Sequence, residues 1–386
     1  MKNILASRPL RLLLVLLVTA IAVAAALSTG RLAFAWVLVS LSCAAMAVCA
    51  LIPKLWVTYA SLVCMSFFAT CAGVEFFYYF TSANDNIKAE GSYSKTADPL
   101  LGYAPAPQAA AMRSTRTLKD TLIYDVTYTS KADGWRVTPE HPGAQNAALF
   151  FGCSYTMGEG VNDAESYPYR VGQLLGEDWQ VYNFGFSGYG PHQFLALLES
   201  GRLDELQKKY KKIHVFWMNI PGHELRSGGY SFWDPSGPRY VLENGVAVRR
   251  GNFDSYTKNG LLAATFFRLQ AALKRTQLCN EFLVQVLRWN ADALSRLQCA
   301  ILVAAQKRLQ QHWPNATFTV LVYPSATDNL PLFRQAGLPV LDTTPFMPHW
   351  PDDALYRIPI DRHPTARAYA DMADGLADYL RGAPAK

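Results

Sequence analysis

Long apolar segments fill most of the first eighty residues of this 386-residue chain and constrain its fold more than any other feature. Glu75 is the only acid within them. The segments run from Leu12 to Leu27, from Leu32 to Ile52 and from Leu55 to Phe80. A helix that crosses a bilayer needs roughly 20 apolar residues, so residues 1–80 are predicted to form three transmembrane helices.

Basic residues beside these segments predict their orientation. Lys2, Arg8 and Arg11 precede the first segment and Lys54 precedes the third, which favours the cytoplasm for these ends. Three crossings then put the rest of the chain outside the cytoplasm, in the periplasm if the membrane is a bacterial inner membrane. A cleaved signal peptide is the alternative for the first segment, but the apolar segments that follow directly favour an uncleaved anchor.

Composition argues against several classes of protein. The net charge is only +6, and no basic stripe with interleaved aromatic residues is present, so a nucleic-acid partner is not expected. No cysteine spacing resembles a zinc or iron–sulfur site, and neither a metal nor a cofactor is predicted. Outside the apolar segments only Cys153, Cys279 and Cys299 remain. Cys279 and Cys299 either form a disulfide in an extracytoplasmic domain or stay free.

Residues 81–145 are predicted to join the membrane segments to a catalytic domain. The stretch 84–108 is rich in Ala, Pro, Ser and Asn and is typical of a linker. Alternating β-forming residues at 121–129 predict a strand, and 135–138 could return as its partner after a turn at 131–134. We therefore expect a small β-hairpin here, or an ordered spacer without chemistry.

Strands and helices alternate through residues 146–386. Strands are expected at 147–151, 179–184, 213–218, 317–323 and 339–341, and helices at 166–176, 192–200, 261–312 and a final stretch ending at Leu380. This order predicts a three-layer α/β fold with a doubly wound, flavodoxin-like parallel sheet. An insertion at 222–258 contains a clear hairpin with an Asn-Gly turn, which we interpret as a wall or lid over the site.

Ser154 and His363 are the residues that most suggest chemistry. Ser154 follows the first strand in Gly152-Cys153-Ser154, where backbone N–H groups of a turn can face a developing oxyanion. Asp361 precedes His363 by two residues at a helix start, so its carboxylate could orient the imidazole to accept a proton from a serine. The alternative is an ordinary Ser/Gly turn and a capped surface histidine.

The order of these motifs resembles the SGNH (GDSL-type) serine hydrolase superfamily over residues 146–386. Gly152-Cys153-Ser154 stands where that superfamily has Gly-Asp-Ser, and Asn183-Phe184-Gly185 matches its second block. Its third block is poorly matched around Asn219. The resemblance implies Ser154 as nucleophile, His363 as base and Asp361 as its orienting acid. It also implies an oxyanion hole built from Ser154, Gly185 and Asn219. The Asp-x-His spacing is similar to that of the alginate O-acetyltransferase branch.

Other residues compete for roles around this set. Cys153 is the rival nucleophile, since a thiolate is intrinsically more reactive, and Asp342 is the rival orienting acid. His223 and Arg226 lie just beyond Asn219 and are expected either to bind substrate or to contact a neighbouring carboxylate. A carboxylate beside a histidine stabilises its charged form, so we expect the pKa of His363 to exceed the usual value of about 6.5.

A membrane-anchored, extracytoplasmic serine esterase is the function that this reading favours. Its expected partners are the bilayer and an O-acylated carbohydrate, with acetyl as the expected acyl group on an envelope or secreted glycan. An O-acetyltransferase that uses the same acyl-serine is the first alternative, and a catalytically silent glycan-binding or assembly protein is the second. The glycan, the acyl chain, the oligomeric state and any membrane-protein partner stay open.

Overall fold

The computed structural model describes residues 16–17, 19–20, 33–52, 54–81, 87–119, 121–231, 233–255 and 291–382. Two compact units are present, one of residues 1–85 with 265–289 and the other of residues 86–264 with 290–386. The predicted strand–helix alternation, the insertion and the site residues all belong to the second unit. Each unit is described separately below.

The described part of the first unit contains helical residues at 16–17 and 19–20 and the helices α1 (Ala33–Leu51) and α2 (Leu55–Thr81). The helices α1 and α2 pack side by side, with the rings of Trp36 and Phe76 5.5 Å apart edge to face. Within the described residues, the 23-residue stretch Leu55–Phe77 is long and apolar enough to cross a bilayer. The apolar stretch of α1, Ala35–Val48, is shorter. The third predicted span is therefore supported by length and composition, and the first lies largely outside the described residues.

Five strands open the second unit and form what we call the β-extension, residues 87–130. They are β1 (Ile87–Glu90), β2 (Lys95–Asp98), β3 (Gly102–Pro105), β4 (Ala110–Leu118) and β5 (Thr121–Ser130). β4 lies between β1 and β5, and β2 pairs with β3, in both cases antiparallel. The predicted linker at 84–108 is thus largely built into strands.

The predicted partner of β5 is wrong. β5 pairs along its length with β4, and the stretch 135–138 makes only single bridges, through Arg136 to Ser130 and Asn183. Arg136 is fully buried and packs against the loop after Ser154. Its guanidinium donates to the carbonyl oxygens of Met157 and Gly158 at 2.6 Å each. A buried arginine must satisfy its donors, and here the loop after Ser154 supplies the acceptors.

A five-stranded parallel sheet forms the centre of the second unit. Its strands are β6 (Asn146–Gly152), β7 (Trp179–Gly185), β8 (Lys212–Asn219), β11 (Ala316–Val322) and β12 (Val340–Asp342), in the order β12-β11-β8-β6-β7. Between β8 and β11 lie β9 (Pro238–Glu243) and β10 (Val246–Asn252). The helices are α3 (Ser154–Met157), α4 (Tyr167–Leu175), α5 (Pro191–Glu199), α6 (Asp204–Lys209), α7 (His223–Ser227), α8 (Ala291–His312), α9 (Leu330–Gln335), α10 (Asp353–Tyr356) and α11 (Ala366–Leu380).

Alternate residues of β6 bury themselves on opposite faces of this sheet, as the two-residue period of a strand requires. Ala147, Leu149 and Phe151 belong to the apolar core that includes α5 and α8, whereas Ala148 and Phe150 belong to the core that includes α4 and α11. The predicted three-layer, doubly wound architecture is confirmed. Tyrosines of the β-extension share the first of these cores, so the extension packs on the same side as α5 and α8.

β9 and β10 form the predicted hairpin of the insertion, with Asn244 in the turn at a φ of 50°. The insertion is anchored to α5 through Asp234, whose carboxylate lies 2.9 Å from His192 Nε2 and accepts from Gln193 Nε2 at 2.6 Å. Tyr240 of β9 is also buried. Of the long helix predicted at 261–312, α8 is the described part, and 261–290 lies outside the described residues.

Candidate active site

Ser154 lies at the carboxyl end of β6, as the first residue of the single-turn helix α3. Parallel strands gather such residues at one edge of the sheet, and Gly185 and Asn219 end the two strands that flank β6. Because the first N–H of a helix has no partner inside that helix, the backbone N–H of Ser154 is free to meet an anion.

His363 joins Ser154 to Asp361. Its Nε2 lies 2.8 Å from Ser154 Oγ, and its Nδ1 contacts Oδ1 of Asp361. The Asp361 carboxylate accepts a hydrogen bond from Nδ1–H, which leaves Nε2 unprotonated and able to accept a hydrogen bond from the serine hydroxyl. The structure therefore brings together the three residues that the sequence nominated, in the order serine, imidazole, carboxylate.

A tight loop presents the acid and the imidazole on the same side. Ile360 and Arg362, which alternate with Asp361 and His363, have φ values of 69° and 72°. Such left-handed conformations cost energy for residues with a Cβ and persist only where the surroundings impose them. Tyr155 contributes to this, because its hydroxyl donates to the carbonyl of Arg362 at 3.3 Å.

Arg116 of β4 is a member of the site that the sequence did not reveal. Its guanidinium makes an ion pair with Oδ2 of Asp361, the oxygen that His363 Nδ1 does not use. The Asp361 side chain is completely buried, and a buried carboxylate is costly unless it is paired and hydrogen-bonded. Arg116 supplies that pairing from a strand 245 residues earlier in the chain.

Glu159 adds a second carboxylate close to the imidazole. Its Oε2 lies 3.9 Å from His363 Nε2 and accepts a hydrogen bond from Ser187 Oγ at 2.7 Å. Its Oε1 lies 3.7 Å from Arg116. The charged groups at the site thus alternate in sign, with Arg116 between the carboxylates of Asp361 and Glu159.

The pKa of His363 is lowered, contrary to the expectation from Asp361 alone. Burial is the largest cause because it disfavours the charged imidazolium, and the positive charges of Arg116 and Arg226 act in the same direction. Glu159 opposes them and raises the pKa. The ion pair between Arg116 and Asp361 offsets the negative charge on which the sequence argument rested.

Gly185 is used for packing, and its N–H already has a partner. It donates to Asn183 Oδ1 at 3.0 Å, and a Cβ at this position would lie 2.4 Å from the backbone nitrogen of Met157. Gly188 follows three residues later with a φ of 83°, and its N–H has no acceptor among the residues the structure describes. Within the described residues, the N–H of Gly185 is therefore already used in a hydrogen bond, whereas that of Gly188 is not.

Asn219 presents an amide group whose orientation is set by α8. Its Oδ1 accepts from Gln298 Nε2, and both side chains are fully buried. Its Nδ2 has no acceptor in the described part of the chain. A buried amide donor without a partner is unusual in folded proteins and is available for a bound oxygen atom.

His223 and Arg226 occupy different environments although both lie on α7. His223 is fully buried, its ring lies 5.1 Å from that of Trp217, and its Nδ1 accepts from the N–H of Ile220. Burial lowers the pKa of His223 well below its usual value, so it is a neutral core residue. Arg226 is partly exposed, donates to the carbonyl of Tyr189 at 2.7 Å and lies close enough to influence His363. Of the two, only Arg226 is positioned to meet a substrate.

Cys153 and Asp342, the alternative nucleophile and the alternative orienting acid, have other surroundings in the structure. Cys153 is completely buried in the core that includes α4 and α11, so its thiol does not share the position of Ser154. Asp342 accepts from the N–H of Thr344 at 2.9 Å. Cys299 is a buried free thiol, and its proposed partner Cys279 lies outside the described residues.

Comparisons with known proteins give only distant similarities. No protein-family model matches the chain, and no curated protein matches it. A member of the lipolytic protein G-D-S-L family from Veillonella parvula is 12% identical over 61% of this chain and 97% of its own, with a TM-score of 0.32. The lipase Lip_vut3 from a goat rumen metagenome is 16% identical over 62% and 97%, with a TM-score of 0.35. At these TM-scores, nothing about this chain is concluded from either similarity.

Proposed function

We propose that this chain is a serine ester hydrolase of the SGNH type, anchored in a membrane and acting on O-acyl groups of extracytoplasmic glycans. The observation that carries the proposal is the continuous set of contacts from Ser154 Oγ through both nitrogens of His363 to the Asp361 carboxylate. Nucleophile, base and orienting acid need this geometry for acyl transfer.

The chemistry follows from these contacts. Ser154 Oγ attacks the ester carbonyl while His363 Nε2 takes its proton, and Asp361 stabilises the imidazolium that forms. The imidazolium then returns the proton to the leaving alcohol, which leaves an acyl group on Ser154. Water attacks this acyl-enzyme with His363 again as base, releasing the carboxylic acid.

The tetrahedral intermediate of each step carries a negative oxygen that needs donors. We assign this role to the N–H groups of Ser154 and Gly188 and to Asn219 Nδ2. The first lies at a helix N-terminus, and the other two have no acceptor among the described residues. Donors fixed in advance stabilise such an oxygen without reorganising, which is commonly the largest contribution to catalysis.

The location outside the cytoplasm is supported by the apolar helix α2 and the charge beside it. Lys54 directly precedes α2, and no Lys or Arg follows until Lys88. Basic residues favour the cytoplasmic side, so this arrangement favours an outward second unit. An acylated envelope or secreted glycan is the substrate class that such a position makes accessible.

Acyl transfer to a sugar hydroxyl is the competing activity, since it uses the same acyl-serine with a different acceptor. The two-residue spacing between Asp361 and His363 favours this candidate. Full-length protein in detergent, given an acetyl ester with and without oligosaccharides, separates the two. Mass spectrometry should detect free acetate for the hydrolase and acetylated sugar for the transferase.

Labelling by a fluorophosphonate tests whether Ser154 is a reactive nucleophile. The wild-type protein should be labelled and should hydrolyse a simple aryl acetate, and S154A should do neither. Absence of both reactions in folded wild-type protein would favour the silent glycan-binding alternative and reject the esterase.

A further inference from the structure

We propose that a pocket between the β-extension and the site binds the sugar ring that carries the ester, an inference that rests on the proposed function. We call it the extension pocket. It has a volume of about 200 Å³, with walls that include Ala89, Tyr93, Tyr124, Arg116, Glu159 and Phe186. The pocket adjoins the site through Arg116 and Glu159, and neither Ser154 nor His363 is among the residues that line it.

The pocket lies beside the reacting atoms. Glu159 lines it and has its Oε2 3.9 Å from His363 Nε2, the same nitrogen that contacts Ser154 Oγ. Arg116 lines it as well and is ion-paired with Asp361. A substrate whose carbonyl meets Ser154 therefore has one of its two ends within reach of this pocket.

Aromatic rings form the apolar part of the wall. Tyr93 packs against Phe186 with ring centroids 5.8 Å apart and against Tyr128 at 6.2 Å. Their hydroxyls are held by the backbone, since Tyr93 donates to the carbonyl of Gly134 and Tyr128 accepts from the N–H of Gly160. Rings fixed in this way offer rigid apolar surface to the C–H groups of a sugar.

Charged groups form the polar part and favour a polyhydroxylated ligand over an acyl chain. The Arg116 side chain is 26% exposed and lies between the carboxylates of Asp361 and Glu159. Covering its exposed N–H groups with hydrocarbon would desolvate a charged donor, whereas a sugar hydroxyl can accept from it. Another hydroxyl can donate to Glu159. Aromatic surface combined with adjacent donors and acceptors is the chemistry of a pyranose.

The size of the pocket limits the occupant to one ring. At about 200 Å³ it is smaller than the roughly 300–1,000 Å³ of pockets that hold drug-sized ligands. Neighbouring sugars of a polymer would continue outside it. The pocket therefore binds the acylated sugar of the glycan, and the other sugars lie on the protein surface outside it.

Two adjacent positions of β1 provide a matched test. Ala89 lines the pocket, whereas Lys88 precedes it in the strand, points to the other face and does not line it. A89W should fill the pocket, and K88W adds the same side chain outside it. S92W is a second filling variant, because Ser92 is exposed and also lines the pocket. Thermal unfolding identifies which variants are folded.

Binding is measured in the S154A background, so that the result does not depend on turnover. Saturation-transfer NMR with a mono-O-acetylated methyl glucopyranoside should show transfer to the ring protons. This transfer should fall at least ten-fold with A89W or S92W and persist with K88W. No transfer to S154A, or transfer unchanged by both filling variants, would overturn the proposal. The proposal would also be overturned if the filled variants lost binding of an octanoyl ester and kept binding of the acetylated glucoside.

The proposed function is tested by experiments that are independent of the extension pocket. Wild-type protein that ignores both the fluorophosphonate and the aryl acetate contradicts the esterase, whatever the sugar does. Loss of sugar binding in the filled variants supports the pocket in either case.

Discussion

Arg116 and Asp361 form an ion pair that links β4 of the β-extension to the buried carboxylate in contact with His363. The same carboxylate uses its other oxygen for His363. Asp361 therefore has both oxygens occupied by cationic or proton-donating groups, and its position depends on the distant strand β4 as well as on its own loop. This arrangement controls the charge at the imidazole as well as its orientation.

The pH dependence of ester hydrolysis should reflect the lowered pKa of His363. A general base works in its neutral form, so activity should rise with pH as His363 loses its proton. Because burial lowers this pKa, the midpoint should lie below the ordinary value of about 6.5. A profile of kcat/KM against pH with an aryl acetate measures it. A midpoint above 6.5 would mean that Asp361 outweighs burial.

R116Q and E159Q should move this midpoint in opposite directions. Arg116 lowers the pKa of His363, so its loss should shift the rise in activity to higher pH. Glu159 raises the same pKa, and its loss should shift the rise to lower pH. The comparison uses the same substrate and checks each variant by thermal unfolding. Shifts in one common direction would show that the charges do not act through His363.

S154A should lower ester turnover by roughly 10³-fold or more, because the attacking atom is lost while the oxyanion donors stay. C153A is the neighbouring control and should change turnover little, since that thiol is buried in the core. H363A should resemble S154A, and the double variant should be scarcely worse than either, because the two residues act as one unit. If the fold-loss of turnover in the double variant equalled the product of the two single losses, Ser154 and His363 would not act as one unit.

D234A should destabilise the second unit without touching the triad. The substitution removes the acceptor of His192 Nε2 and Gln193 Nε2, which are both buried. Each of these two buried groups left unsatisfied costs about 1–3 kcal/mol, so a loss of about 2–6 kcal/mol is expected in the free energy of unfolding. Thermal unfolding measures it, with E205A at an exposed ion pair as a control that should leave the melting temperature unchanged. Equal melting temperatures for both variants would show that Asp234 does not anchor the insertion to α5.

Alkaline phosphatase fused after residue 84 should be active in a bacterial host. The expectation follows from Lys54 directly before α2, because a basic residue there favours the cytoplasm for that end of a single apolar helix. A cytoplasmic reporter fused at the same point should show the opposite response. Activity of that reporter alone would place the second unit in the cytoplasm and reject the proposed glycan substrate.

The sheet and the triad were readable from the sequence because their determinants are local. Buried parallel strands produce short apolar runs between helices, and sites in such sheets collect where the strands end. Ser154 follows such a run, and the Asp361–His363 pair lies just before the helix α11. These patterns make Ser154 and His363 candidates, and the resemblance to the SGNH superfamily is what implies that they meet.

Arg116, Glu159 and the sign of the His363 pKa shift were not readable in this way. Arg116 looks like any charged residue of an alternating strand, and its role depends on how the β-extension packs on the rest of the second unit. The stretch before it is rich in Pro and Ser, which is typical of linkers. Burial of His363 is likewise a property of the packed unit, and it reverses the shift expected from Asp361 alone.

The strands of the β-extension determine where a soluble fragment of this protein can begin. A fragment cut at Asn146, where the strand–helix alternation starts, would fold without Arg116 and would leave Asp361 buried with no counter-charge. Such a fragment should be weakly active at best even if its sheet were intact. The shortest useful fragment therefore starts near residue 86, after α2, and keeps the β-extension together with Ser154, Asp361 and His363.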